Sequence, residues 1–278
     1  MMKQKTHPGI LASGLAISLA ATFFTATAIA SPAEHHRAKK GTHISMHASD
    51  ARVIRRVTGP IANSVNGVPA EPVDSFDWSG SEITPVRGHA KLEIDPVANT
   101  GTIKAKWEDE YGRWTYKQTM FVAPSHPTGV RMGSDLGSLT LIEGDPVTTN
   151  IYLHGNTGAG GPVIPTLFNL LSTWGPAKVT LNGEPFDNPF DGPAPMWAGH
   201  TMISEGVRDA NGAVRTTSGE IFNMMLSSEG QTYPGDLVFH LVFHDAPGPE
   251  MTANVPPPLS FFYHVTFSKV KIKIKDNK

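Results

Sequence analysis

From Arg52 onward, short apolar runs are separated by turn residues about every ten positions, the spacing of a sandwich or barrel. Ala90, Leu92 and Ile94 alternate with His89, Lys91 and Glu93, and Ile103, Ala105 and Trp107 alternate with Lys104 and Lys106. Period-two alternation on both sides of a Pro, Asn and Gly turn predicts an antiparallel hairpin with one buried face. A second hairpin is expected between residues 104–107 and 114–122, around the turn at 109–112. Further strands are expected over 138–142, 148–154, 163–168, 177–181, 221–226 and 237–244. Between 165 and 174, Leu167, Leu170, Leu171 and Trp174 stand at helical spacing, with Pro165 before and Gly175 after, so this piece reads as one short helix or as a strand and turn.

The C-terminal pattern is sharper. Leu259, Phe261, Tyr263, Val265 and Phe267 occupy the odd positions, after which Lys269, Lys271, Lys273 and Lys275 take them and Val270, Ile272 and Ile274 become the apolar set. Side chains alternate strictly along a strand, so the reversal demands a bulge, a break or a change of sheet near Ser268. The lysine row would guard an exposed edge against aggregation. A basic patch for anionic lipid or polysaccharide is the alternative. The expected fold is all-β, an antiparallel β-sandwich of immunoglobulin-like or related type, with long loops and at most one short helix.

The N-terminus follows another rule. Lys3 and Lys5 precede an apolar run from Ile10 to Phe24, and Ala28 and Ala30 supply the small residues of a cleavage site. This predicts a secretory signal peptide over 1–30, followed by a polar, His-bearing flexible arm over 31–50 and a single domain over 51–278. The run is too short for the ~20 apolar residues of a bilayer span, and no second one follows, so the mature chain is expected to be periplasmic or secreted with no membrane span.

Composition narrows the chemistry. The 278 residues include 27 Gly and 23 Pro, and no Cys at all. Disulfides, thiolate nucleophiles, zinc knuckles and thiolate-ligated copper are thereby excluded. Formal net charge is −2, which offers no basic face for a nucleic acid. There is no Gly-x-Ser-x-Gly and no His-Glu-x-x-His, and the Gly155–Gly161 stretch lacks the Lys of a phosphate-binding loop. Asp187, Asp191, Glu205, Asp209 and Glu220 would furnish an acid/base pair only if two of them faced each other.

Histidine and methionine remain. His240 and His244 are spaced like a helical metal pair, but Phe239, Leu241 and Phe243 alternate with them, so the segment reads as a strand holding the two rings ~13 Å apart. Each would then need a ligand from elsewhere. On an extended chain, His200 and Met202 fall on one face, and imidazole with thioether is the donor set copper(I) takes where thiolate is missing. Surface or core placement is the competing reading for each of these residues.

The stretch from Ile151 to Phe168, with His154-Gly155, a glycine-rich loop and then Gly161-Pro162-Val163-Ile164, resembles the core motif of CHRD domains, chordin-type extracellular β modules. Residues 88–95 look like the early strand of that family and Ser218-Gly219-Glu220-Ile221 like its late turn. Tyr152 stands where the family has a first motif His, and residues 175–215 form a long insert. The resemblance implies an extracellular immunoglobulin-like sandwich and carries over His154 as a structural or ligand residue.

Taken together, these features point to a secreted or periplasmic, non-enzymatic binding protein. Its metal candidates, for copper or zinc, are His154, His200, Met202, His240 and His244. An extracytoplasmic enzyme with paired carboxylates acting on a carbohydrate or other polar substrate, and a surface or adhesion module, are the alternatives.

Overall fold

In the computed structural model, residues 42–58, 64–65, 68–69, 77–132, 139–160, 163–189, 192, 196–224, 226–227, 229–245 and 261–276 are described. The signal-peptide segment, the first part of the expected arm and Asp191 lie outside them. In chain order the strands are β1 (Thr42–Thr58), β2 (Ser64–Val65), β3 (Val68–Pro69), β4 (Thr84–Asp95), β5 (Thr100–Asp109), β6 (Gly112–Gln118) and β7 (Gly129–Met132). They continue as β8 (Leu139–Ile142), β9 (Val147–Leu153), β10 (Leu167–Leu181), β11 (Glu184–Pro185), β12 (Trp197–Gly206), β13 (Tyr233–His244) and β14 (Phe261–Asp276). Both expected hairpins form, as β4–β5 and β5–β6. The protein is all-β, and among the described residues no helix is long and apolar enough to cross a membrane.

The sheet closes on itself, which the sandwich expectation did not foresee. β1, β4, β5, β6, β10, β12, β13 and β14 pair antiparallel, each with the next, and β14 pairs back onto β1 from Thr42↔Asp276 to Thr58↔Phe261. This is an up-and-down barrel of eight strands. Local alternation dictates one buried face per strand and is served equally by a sandwich or a barrel. The deciding contact joins the first strand to the last, and no local pattern encodes it.

Inward side chains fill the barrel. Ala90, Leu92 and Ile94 of β4 meet Ile103, Ala105 and Trp107 of β5, Trp114 and Tyr116 of β6, and Phe239, Leu241 and Phe243 of β13. Each fully buried Leu or Phe contributes roughly 1.5–3 kcal/mol. The aromatic interior is also cross-linked: Trp107 Nε1–H donates to the Tyr263 hydroxyl at 2.7 Å, which donates to Asp109 Oδ2 at 2.8 Å, while Trp114 Nε1–H donates to Asp109 Oδ1 at 2.8 Å. An eight-stranded barrel is narrow enough for side chains to occupy its interior, so a ligand site is to be sought on its outside.

Several expectations are corrected. Residues 165–174 form no helix; from Leu167 they belong to β10, and 163–166 precede the strand as a bend. Leu167 and Trp174 pack outside the barrel while Leu171 packs in its core, and a register shift between Asn169 and Leu171 explains how a strand acquires helix-like spacing. The described residues among 221–226 form no strand, only an isolated bridge at Ile221. Residues 42–50, expected within the arm, are the first half of β1, where Ile44, Met46 and Ala48 point inward. The His and Ser between them disguised that alternation as polar sequence.

The reversal near Ser268 is present. Val270 and Ile272 take over from Phe267 in contact with the core, and β1 reverses beside them from Ala48 to Ala51. The two strands stay in register through the change, which is absorbed at Asp50, at φ 61°, where β1 slips against β4. Ser268 Oγ–H donates to Asp50 Oδ2 at 2.6 Å across the kink. Beyond it β14 leaves β13: their pairing runs only from Phe239↔Phe267 to His244↔Phe262. The lysines therefore lie on a stretch paired, among the described residues, with β1 alone.

Outside the barrel, β9, β7 and β8 continue the sheet from the first half of β10. With segments around Trp78, Ile164, Val207, Val214 and Phe222 they form a second core against Trp174 and Met202. This outer layer packs on the wall at β10 and β12.

Candidate functional site

Strand alternation decides what that wall presents. On β12, Trp197 and Ile203 point into the barrel, so His200 and Met202 point out. On β13, Phe239, Leu241 and Phe243 point in and His240, Val242 and His244 out; on β14, Tyr263 and Val265 point in and His264 out. Register then sets Met202 opposite His240, His200 opposite Val242, and Val242 opposite His264. Three adjacent strands thus turn imidazoles and a thioether to the same outer face of the barrel.

The loop after β9 supplies the remaining ligand candidate. His154 has φ 63° and ψ −171°, a combination favourable essentially for glycine alone and costly by ~1–3 kcal/mol in other residues. Its backbone is held firmly: its N–H donates to Ala159 O at 2.9 Å, and its carbonyl accepts from Thr157 N at 3.1 Å and Thr157 Oγ1 at 2.8 Å. Gly160 makes room for the ring, since a Cβ there would stand 3.1 Å from His154 Nδ1. The outcome is His154 Nε2 at 3.4 Å from Met202 Sδ, both residues buried.

His200 lies next to this pair. Its Nδ1–H donates to Thr173 O at 3.0 Å, because a carbonyl only accepts, and the lone pair is thereby assigned to Nε2. A carbonyl that accepts from the ring nitrogen facing away from the ion orients metal-ligating histidines. Trp174 stacks on the imidazole with centroids 4.8 Å apart, and the His154 ring is 6.5 Å away. His244 is fixed in the same manner by the Asp245 carbonyl, at 2.6 Å from Nδ1.

His240 and His264 form the next group. His240 Nδ1 and His264 Nε2 are 3.1 Å apart, and the outer nitrogens, His240 Nε2 and His264 Nδ1, are buried with no hydrogen-bond partner. His264 escaped the sequence reading. Its signal was parity: it shares the outward phase on β14 that His240 and His244 have on β13.

The imidazoles of His200, His240, His244 and His264 are shifted toward the neutral form. Burial, then the neighbouring charge of His154, pulls His200 down to about 3, and burial, then Arg208, does the same for His240. His264 lies well below its ordinary range through burial, His240 and Arg208, and His244 is lowered chiefly by burial. Neutral imidazole is the form that ligates a metal.

Of the candidates named from the sequence, His154 and Met202 are in contact, the His200 ring lies 6.5 Å from that of His154, and His240 pairs across the ladder with Met202, whereas His244 is bonded to the Asp245 carbonyl. Among the described residues, no three His, Asp or Glu side chains form a group able to hold an ion. Zinc, which takes three or four such ligands, is less well served than a soft ion content with a thioether and few nitrogens. Asp209 is engaged with Arg215 at 2.6 Å, while Asp187 and Glu220 are exposed. No family model, curated protein or solved structure matches the chain.

Proposed function

We propose that this protein is an extracytoplasmic, non-enzymatic binding protein that takes a soft metal ion, copper(I) foremost, on the outer wall of its barrel. The observation that carries the reading is the strained His154, held with its Nε2 3.4 Å from Met202 Sδ. A nitrogen at ~2.0 Å and a sulfur at ~2.3 Å from one ion stand about that far apart when roughly 105° separates them. Without an ion, Nε2–H donates toward the sulfur; an ion takes the Nε2 lone pair of the other neutral tautomer, with the hydrogen moved to Nδ1. His200, its Nε2 lone pair set by Thr173, is the third ligand after a ring shift on the order of 1 Å, since two imidazoles bound to one ion at ~2 Å and 120° have closer centroids than the present 6.5 Å. The leader-like N-terminus supports a position outside the cytoplasm.

Anaerobic competition titration of copper(I) against a chromophoric chelator tests the reading, using the chain from Ser31 and a second chain lacking residues 31–41. Both are expected to bind, and Met202→Leu, which keeps volume and removes sulfur, is expected to weaken binding at least tenfold. Binding that vanishes with residues 31–41 and ignores Met202→Leu overturns it.

A further inference from the structure

Beside His240, where β13 and β14 part, the outer wall opens into a groove of about 630 Å³. Its rim carries Arg208, Lys269 and Lys271 together with Asp50, Asp209 and Asp236, and His240 lines it. Among the described residues, His264, diagonal to His240 across the β13–β14 ladder, is the one hydrogen-bond partner of the His240 ring nitrogens, and the two residues are 4% and 5% exposed.

A buried structural histidine is ordinarily satisfied at both nitrogens. Here each ring is bonded only to the other, and one nitrogen of each is left without a partner. The 3.1 Å between His240 Nδ1 and His264 Nε2 is also the separation of two nitrogens bound at ~2.0–2.1 Å to one ion with roughly 98° between them. One of the two facing nitrogens carries the hydrogen of the bond between the rings, and an ion between them takes both lone pairs once that hydrogen has moved to the outer nitrogen of its own ring. Met202, directly across the ladder from His240, places this pair next to the His154–Met202 corner.

We infer that His240 and His264 form a second position for a soft monovalent ion, adjacent to the first and opening on the groove, with water from the groove completing its shell. This extends the proposed function and is independent of it in its ligands. A single charge suits the cation that shares the groove with His240, Arg208, whose guanidinium donates to the carbonyls of Asp77 at 2.6 Å and Gly212 at 2.7 Å. Repulsion from a fixed cation is twice as great for a divalent as for a monovalent ion, which favours copper(I) or silver(I) over zinc.

Native mass spectrometry of the chain from Ser31, loaded with silver(I) as a closed-shell, air-stable probe, reads the stoichiometry. Two ions are expected on the wild type, one on His264→Phe and one on Met202→Leu. Side-chain ¹⁵N NMR of the unmutated protein supplies a readout free of folding defects: His240 and His264 nitrogens are expected to shift in a step separable from that of His154. One ion that is lost in Met202→Leu, kept in His264→Phe and without effect on the His240 and His264 resonances overturns the second position and leaves the first intact. One ion with the opposite dependence removes the first and leaves the second. A wild type that takes up no silver overturns both.

Discussion

His154 couples backbone geometry to chemistry, since a non-glycine residue at φ 63° persists only where its surroundings hold it there. The glycines of the following loop allow the two contributions to be separated. Gly158 and Gly160 both have φ 70°, but a Cβ at Gly158 meets nothing within 4 Å, whereas one at Gly160 stands 3.1 Å from His154 Nδ1 and 3.2 Å from Cε1. Alanine at either site is expected to cost about 1 kcal/mol from the left-handed backbone alone. Only Gly160→Ala should also displace the imidazole from Met202. Urea unfolding of both variants and copper(I) competition are therefore expected to show similar losses of stability and a drop in metal affinity for Gly160→Ala alone; equal affinities would mean that the ring position is immaterial to binding.

The first and last barrel strands show what alternation reveals and what it conceals. The parity reversal of β14 was legible because strong side chains, aromatic before Ser268 and lysine after it, mark the two phases. The same reversal on β1 was not, because Ala48 and Ala51 are weak signals and His43 and His47 lent the segment a polar cast. The consequence was a strand taken for an arm. The candidate site followed the same logic: His240 read correctly as strand, but its neighbour His264 comes from a strand 24 residues later, and only register brings them together. Past the reversal, Lys269, Lys271 and Lys273 are exposed on a stretch whose described pairing is to β1 alone, and charged side chains of this kind discourage edge-to-edge association. Replacing all three by Thr, which favours strands without carrying charge, is expected to leave the far-ultraviolet circular dichroism unchanged and to increase self-association in light scattering. A triple variant that scatters like the wild type at the same concentration would assign the lysines another role.

At the scale of the whole molecule, barrel and outer layer are joined across a wall bearing several uncharged histidines, and this makes their union dependent on pH. In the unfolded chain each imidazole titrates near ~6.5; in the fold, burial pulls His200 and His240 down to about 3 and lowers His244 and His264 as well. Between these limits the unfolded state binds more protons than the folded state, so stability rises with pH through the interval. The histidine contribution is therefore complete above about pH 6.5 and lost progressively as the pH falls toward 3. The carboxylates act elsewhere. Asp209, held low by its bond to Arg215, and Asp77, held low by Ser79 and two backbone amides against the opposing effect of burial, keep their contribution until the pH falls through the ordinary Asp range near 3.8. Glu205, raised by burial, works weakly in the opposite sense, its folded form favouring the proton. Urea midpoints measured from pH 8 to pH 4.5 are accordingly expected to be flat above about 6.5 and to decline steeply below it, with the decline shallower in His264→Phe, which deletes one of the buried titrations. Saturating silver(I) should displace the decline to lower pH, because an ion that binds only the folded state stabilises it by mass action and competes with protons for the same lone pairs. A midpoint independent of pH across this range would mean that the imidazoles reach water in the folded protein, and the buried wall on which both metal positions depend would then have to be abandoned.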